Sequence, residues 1–464
     1  MRGKCRRPAP PGGDGDATAV LGDADLEEIL LRLPSAADLA RAAPLVCRRW
    51  RRVASGPAFL RRFRRLNPPQ LLGFFVCKGG RPYRYDALDR SPLPVLDPTF
   101  LPVDPPSLGV GGAIARCRDF SLTSLPSVDY WSLADSRDGL LLFCSSCDRS
   151  INGHHLDLPD RRDIPKHFAV CNPLSGHSAL LPAPDADLYL VSYYLGAALV
   201  ISDKDEGDSL SFEVLIATFF HKGPRLCVFS SNSQEWTVLP CPDTKKLYIF
   251  GMPWIDDGAH ASGRMYWVVH DWVMESEHIL VLELQTKKFS TINLPCSGMC
   301  EKYDSNIKVM RSEGDNDLRV VAMVRSTCTL HFWRRDRSRS AKGRWLKEDV
   351  VKFLSADGVV DLLMGGVAYC NNAMALRIID AGEGFVFIKH NETPWVFVLN
   401  LKEMTVQKLP NRERYSGHAL PYRMALSPLL PNFDEEGNHR AIKKKGTTDL
   451  GQTSDRFSFH FIPL

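Results

Sequence analysis

Cys144 and Cys147 stand in a Cys-x-x-Cys spacing, and His154 and His155 follow shortly after, so four zinc ligands can be counted in one short stretch. Against a metal, there is one such pair rather than two. Cys144 ends an apolar run where a thiol packs as core, and adjacent histidines do not readily face one ion. The reading is a structural thiol. Cys296 and Cys300, with three residues between them, make a weaker case. Gly-x-Ser-x-Gly, the phosphate-loop Lys-Ser/Thr and His-Glu-x-x-His are all missing. "GVGG" at 109–112 beside Pro105-Pro106 reads as loop, and Asp256-Asp257 as a solvated turn. Arg334, Arg335, Arg337 and Arg339 around Asp336 read as a polar tip, with phosphate or acidic-peptide capture as the alternative use. No catalytic residue, metal or cofactor is expected.

The other candidate chemistry is polyanion binding by "CRRWRRVASGPAFLRRFRRL", Cys47 to Leu66, which holds eight arginines. Residues 1–66 carry a formal charge of +7 and the remainder −3, so any such field is confined to this end. The spacers decide the reading. Cys47, Trp50 and Val53 share one helical face, and Phe59, Leu60, Phe63 and Leu66 another. The arginine pairs fill the opposite sides as solvated frames, and their use is steering an acidic partner rather than nucleic acid.

The elements holding these groups change character along the chain. Residues 1–19 read as a disordered leader and 20–66 as a helical module. Leu26, Ile29, Leu30 and Leu33 form a helical stripe capped at Asp23 and stopped by Pro34. Ser35 opens a short helix through Asp38, Leu39 and Ala42, and Pro44 opens a third. From about residue 70, short runs rich in Val, Phe, Tyr and Trp replace the helical period: "LLGFFVC", "GLLLFC", "RMYWVV", "ILVLEL", "FVFI", "WVFVLNL". A strand, a polar turn, a second strand and Leu-Pro recur, ending at Pro182, Pro240, Pro295 and Pro410. The step is roughly 57 residues. A copy without Leu-Pro is expected at 330–350, and a weaker one ending at Pro126.

Single antiparallel sheets of this size cannot bury both faces, whereas stacking around a ring lets each cover the next. The prediction is a β-propeller of about six blades over 70–433; the alternative is an irregular stack of β-sandwiches. Residues 434–464 read as a polar tail. Its "RFSFHFIPL", 456–464, is either a strand that closes the ring or an exposed end. The 13 cysteines, an odd number, and a start without an apolar stretch or membrane-length run point to a reduced intracellular setting, cytoplasm or nucleus.

Leu21 to Leu60 resembles an F-box. The matching residues are Leu21, Leu26, Ile29, Leu30, Leu33-Pro34, Asp38-Leu39, Val46-Cys47-Arg48-Arg49-Trp50 and Pro57-Ala58-Phe59. Gly22 replaces the usual Pro, and Ala42-Ala43-Pro44 a more polar stretch. The strand-rich part is similar to the propeller-type F-box-associated domains of plant F-box proteins, through "DSRDGLLLF" and "NPLSG". The resemblance implies a non-enzymatic receptor subunit. Its helices would dock a Skp-family adaptor of a cullin–RING ubiquitin ligase, and the propeller would bind a target protein. On that reading Leu21, Leu26, Ile29, Leu33, Pro34, Leu39, Val46 and Trp50 contact the adaptor. The alternative is a propeller that binds a small ligand or catalyses a reaction, with a regulatory F-box.

Overall fold

The computed structural model describes residues 21–34, 38–39, 48–67, 69–78, 99–103, 131–145, 165, 167–173, 177–184, 193–202, 211–220, 223–239, 254–255, 258–271, 276–296, 298–303, 306–311, 318–324, 327–336, 343–353, 376–390, 395–409 and 415–424. The leader, the tail, Val46, Cys147, His154-His155, Asp256-Asp257, Arg337, Arg339, Gly109–Gly112 and the repeat copy at Pro126 lie outside them.

Among the described residues three helices can be bounded at the start: α1 (Asp23–Leu31), α2 (Arg48–Ala54) and α3 (Pro57–Leu66). The cap of α1 is Gly22, one residue earlier than expected, because Asp25 reaches back to accept the Gly22 N–H at 2.9 Å. Asp23 is thereby freed for another use. Pro57 opens α3 from Gly56, where its missing N–H costs nothing. Leu30, Leu31, Leu39, Ala54, Phe59, Leu60 and Phe63 form the module's core, with Leu33, Trp50 and Val53 packed on its margin.

Six antiparallel sheets follow, and they are the blades of a propeller. Blade 2 is β3 (Trp131–Arg137), β4 (Leu140–Ser145), β5 (Phe168–Asn172) and β6 (His177–Leu180). Blade 3 is β7 (Tyr193–Ile201), β8 (Phe212–Phe220), β9 (Gly223–Ser230) and β10 (Glu235–Leu239). Blade 4 has β13 (Arg264–Asp271), β14 (Ser276–Glu283) and β15 (Lys288–Asn293). Its inner edge is split between β11 (Trp254–Ile255) and β12 (Ala259–Ala261). A short α4 (Met299–Lys302) leads to blade 5: β16 (Ile307–Val309), β17 (Arg319–Val324), β18 (Thr329–Asp336) and β19 (Arg344–Lys352). Blade 6 is β20 (Leu376–Gly382), β21 (Phe385–His390), β22 (Val396–Asn400) and β23 (Thr405–Lys408).

Blade 1 joins both ends of the domain. Its strands are β1 (Gln70–Lys78) and β2 (Thr99–Pro102), with β24 (Tyr415–Met424) paired antiparallel on the inner side of β1. The chain therefore closes its own ring, and no described sheet is left open to solvent at that seam. Six apolar clusters sit between neighbouring blades, one at each seam from blade 1–2 round to blade 6–1. Among the described residues no helix is long and apolar enough to cross a membrane.

The sequence repeat has a physical cause in this geometry. Each copy is the outer hairpin of a blade: β5–β6, β9–β10, β14–β15, β18–β19 and β22–β23. The Leu of Leu-Pro turns inward, so Leu181, Leu294 and Leu409 are buried. A tryptophan of the following blade's outer strand then docks the carbonyls around it. Trp236 Nε1 donates to Pro182 O at 2.7 Å, and Trp345 Nε1 to Asn293 O at 2.9 Å. The inner hairpins of blades 2, 4 and 6 turn through Asp138-Gly139, Ser262-Gly263 and Glu383-Gly384, all at positive φ. That two-residue turn matches the twist of the strands it joins.

Blades 5 and 6 meet backbone to backbone at Gly382. Arg311 N donates to Ala381 O at 2.8 Å, and Glu383 N to Arg311 O at 3.0 Å. A Cβ on Gly382 would run into the Arg311 backbone, which cannot give way without breaking both bonds. Gly382→Ala is expected to lower unfolding free energy by about 1–3 kcal/mol, read from the midpoint of a denaturant titration. An unchanged midpoint would show that the two blades can part at no cost.

Candidate functional site

Two places bring chemistry-bearing side chains together. The first is the helical module. Its arginines mostly do not point at solvent alone: Arg49 and Arg52 of α2 reach Asp23 at 2.7 and 3.0 Å, and Arg49 also donates to Leu21 O at 2.5 Å. On α3, Arg62 reaches Glu28 at 2.5 Å and Glu27 at 3.7 Å. The hydrogen bond from Arg49 is the main reason the Asp23 carboxyl titrates below its ordinary range. Each pair is exposed and weak singly, but together they orient α1 against the two later helices. Part of the basic run is thus an internal clamp, which a sequence read only for faces does not show.

The expected docking residues separate by depth. Ile29 and Pro34 are exposed, while Leu21, Leu33 and Trp50 are half-buried. Leu26 and Leu39 are buried. Ile29 is 39 % exposed in the middle of an otherwise ordered helix, and Trp50 and Leu33 border the same small core. A module of this size has little apolar area of its own to bury, so an apolar rim of this kind is suited to covering by a partner.

The second place is the inner end of the propeller. Asp135 on β3 and Asp380 on β20 are both buried, and they are built alike. Each accepts from the next residue's N–H: Ser136 at 2.9 Å, Ala381 at 2.8 Å. Each also accepts from the following blade's innermost strand: Leu199 N at 2.8 Å, Ala419 N at 3.0 Å. Each then holds a basic partner. Asp135 Oδ2 lies 3.3 Å from Nδ1 of His260 on β12, and both oxygens of Asp380 accept from Arg311 Nε at 3.1 Å. Arg311 Nη2 continues to Gly258 O at 2.9 Å, two residues from His260. One polar circuit therefore touches all six blades.

In that circuit nearly every charge is answered, which is the signature of a clasp rather than of a reactive centre. The exception is His260 Nε2, buried without a hydrogen-bond partner among the described residues. Burial pushes the Asp135 carboxyl up, but His260, the Leu199 N–H and Arg311 together outweigh it and leave the group below the usual carboxylate range. A depressed folded value contributes stability above the unfolded value of about 3.9 and loses it as pH falls through the folded value. Unfolding free energy of the wild type should therefore drop below about pH 4, and that slope should flatten in Asp135→Asn. Denaturant titrations across the acid range check this, and equal slopes would contradict it.

The network was not singled out from sequence. Its one local trace is Asp three residues before the acidic-Gly turn, in Asp135-Ser-Arg-Asp-Gly and Asp380-Ala-Gly-Glu-Gly. Of the other candidates, Cys144 is a buried thiol against Ser132 Oγ at 3.3 Å. Arg334 is paired with Glu348 at 2.6 Å, on a strand rather than a tip. The described residues hold no cluster of three or more side chains able to bind a metal.

Two family descriptions match the chain: "F-box-like" over residues 26–66, and "F-box protein AT5G49610-like, beta-propeller" over residues 148–430. No curated protein matches it. Among solved structures it is similar to a regucalcin described as calcium-binding, from Agrobacterium tumefaciens, at 11% identity and TM-score 0.33, over 62% of this chain and 76% of that one. It is also similar to apo AztD from Citrobacter koseri, at 11% identity and TM-score 0.29, over 76% and 97%. A third is a GH74 xyloglucanase from Xanthomonas campestris, at 12% identity and TM-score 0.31, over 69% and 42%. None of the three bears on what this chain does.

Proposed function

Since the chain belongs to the F-box proteins with an AT5G49610-like β-propeller, we propose that it is the substrate-recognition subunit of an SCF-type ubiquitin ligase. The observation that carries this reading is the apolar rim of the helical module, within the segment matched as F-box-like. F-box domains generally bind Skp-type adaptors. Ile29, Pro34, Leu21, Leu33 and Trp50 contact the adaptor, as does Val46 on the sequence pattern alone, and the buried Leu26 and Leu39 set the rim's shape. The propeller binds a target protein through its loops, and catalysis belongs to the ligase's other subunits, for which this chain supplies proximity. The work takes place in the cytoplasm or nucleus.

Affinity purification of the full chain from cells with the ligase inhibited is the direct test. A Skp-type adaptor and an accumulating target are expected together; an eluate without the adaptor would sink the proposal. A propeller acting on a small ligand has one observation in its favour, the unpartnered His260 Nε2. A small molecule retained by the purified chain in native mass spectrometry would support that reading instead.

A further inference from the structure

The end of α2 carries a hydroxyl that neither the docking rim nor the clasp uses. Ser55 follows Ala54, the last residue of α2, and is exposed. Its N–H donates to Arg51 O at 3.0 Å and its Oγ to Arg52 O at 3.2 Å. Arg51 and Arg52 stand four and three residues before it, which places all three on one side of the last helical turn. Both arginines are exposed. α2 is seven residues long and is followed by Gly56 and Pro57, so its last turn has little helical stability of its own. An exposed hydroxyl on a turn that opens easily, with two cations just upstream, suits the acidic substrate groove of a protein kinase.

The same turn is half of the clamp on α1. Arg52 Nη2 meets Asp23 Oδ2 at 3.0 Å, while Arg49 Nε holds Oδ1 at 2.7 Å. These bonds tie α2 to the start of α1, the helix that carries the exposed Ile29. A phosphoryl group on Ser55 brings three acceptor oxygens and nearly two negative charges within reach of Arg51 and Arg52. At the C-terminal end of a helix that charge opposes the dipole, so it depends on these cations for its place. A guanidinium pairs more strongly with phosphate, as a fork, than with one oxygen of an exposed carboxylate.

We propose that Ser55 is a phosphorylation site for a kinase that selects basic residues, and that its phosphate draws Arg52 off Asp23 and loosens α1. Ser55 Oγ attacks the γ-phosphorus of ATP, the bond to the bridging oxygen breaks and ADP leaves, and the hydroxyl proton passes to a base of the kinase. The consequence is a switch. With α1 loosened, the rim is no longer held in one shape, and adaptor capture weakens. That consequence rests on the receptor reading above; the modification and the movement of Arg52 do not.

The test uses the full chain. Incubated with ATP and a serine kinase of basic specificity, it should carry phosphate on Ser55 by mass spectrometry, and Arg51→Gln/Arg52→Gln should remove that modification. Phosphoserine is then encoded at position 55, and amide hydrogen exchange of α1 is compared with the unmodified chain. α1 should exchange about fivefold faster, the scale of one exposed ion pair lost. In Asp23→Asn, which has no carboxylate to release, the same phosphoserine should barely change that exchange. A wild-type chain left unmodified at Ser55 overturns the site. Unchanged α1 exchange in the phosphoserine protein, or an equal rise in Asp23→Asn, overturns the transfer of Arg52. Adaptor affinity, measured on the modified and unmodified wild type, should also fall about fivefold. Unchanged affinity beside faster α1 exchange overturns the switch, whereas an adaptor that binds neither protein refutes the receptor reading and leaves the site standing.

Discussion

Arg311→Met lowers the unfolding free energy of this protein by about 3–5 kcal/mol, the loss expected when one member of a buried ion pair is removed. Asp380 then keeps its two backbone donors but loses the guanidinium that answers its almost fully buried charge. Asp380→Asn should cost a similar amount, because it strands the guanidinium instead. The double variant should be less damaging than the two losses added together, since neither charge is left alone. A four-protein cycle of denaturant titrations measures this coupling. Additive losses would mean that Arg311 acts through Gly258 and not through Asp380. The same variants separate clasp from catalytic centre: a structural circuit predicts that lost stability and lost target binding move together.

Leu33→Ala/Trp50→Ala loses capture of a Skp-type adaptor by about a hundredfold or more, as two central apolar anchors would. Both residues also pack on the module's core, so local unfolding could mimic the effect. Ile29→Ala/Pro34→Ala removes that ambiguity, because both side chains are exposed and their loss barely touches the module's own packing. It should also weaken capture. If the exposed pair binds as well as the wild type and only Leu33→Ala/Trp50→Ala fails, the rim is internal packing and the adaptor sits elsewhere. Circular dichroism of each variant, together with adaptor binding measured by calorimetry, decides between these outcomes.

The blades were legible because their signal is local and repeated. A buried Leu followed by Pro marks the outer hairpins of blades 2, 4 and 6, and Asp138-Gly139 and Glu383-Gly384 mark inner ones. The apolar stripe of α1 was legible from helical spacing, but the depth of its members was not: Leu26 and Ile29 lie on one stripe in sequence, yet one is buried and the other exposed. Depth depends on where α2 and α3 cross α1, which the clamp from Arg49, Arg52 and Arg62 sets. The polar circuit was illegible because its members meet across long separations, as Asp135 and His260 do. The closing strand was also hidden. Innermost strands are covered on both faces, so Ala419, Leu420 and Tyr422 are all buried and alternation disappears. The Phe-rich end that stood as a candidate for closure lies outside the described residues, and β24 does that work.

Closure by β24 has a consequence for the order of events during synthesis. Arg423 donates to Pro69 O across 354 residues of chain, so blade 1 cannot be completed until β24 has left the ribosome. At the usual rates of about 5–20 residues per second, that interval is roughly 20–70 s. The helical module precedes it entirely. A nascent chain can therefore carry a finished helical module while its ring is still open, and a ribosome that stalls before β24 would release that module on an unclosed propeller.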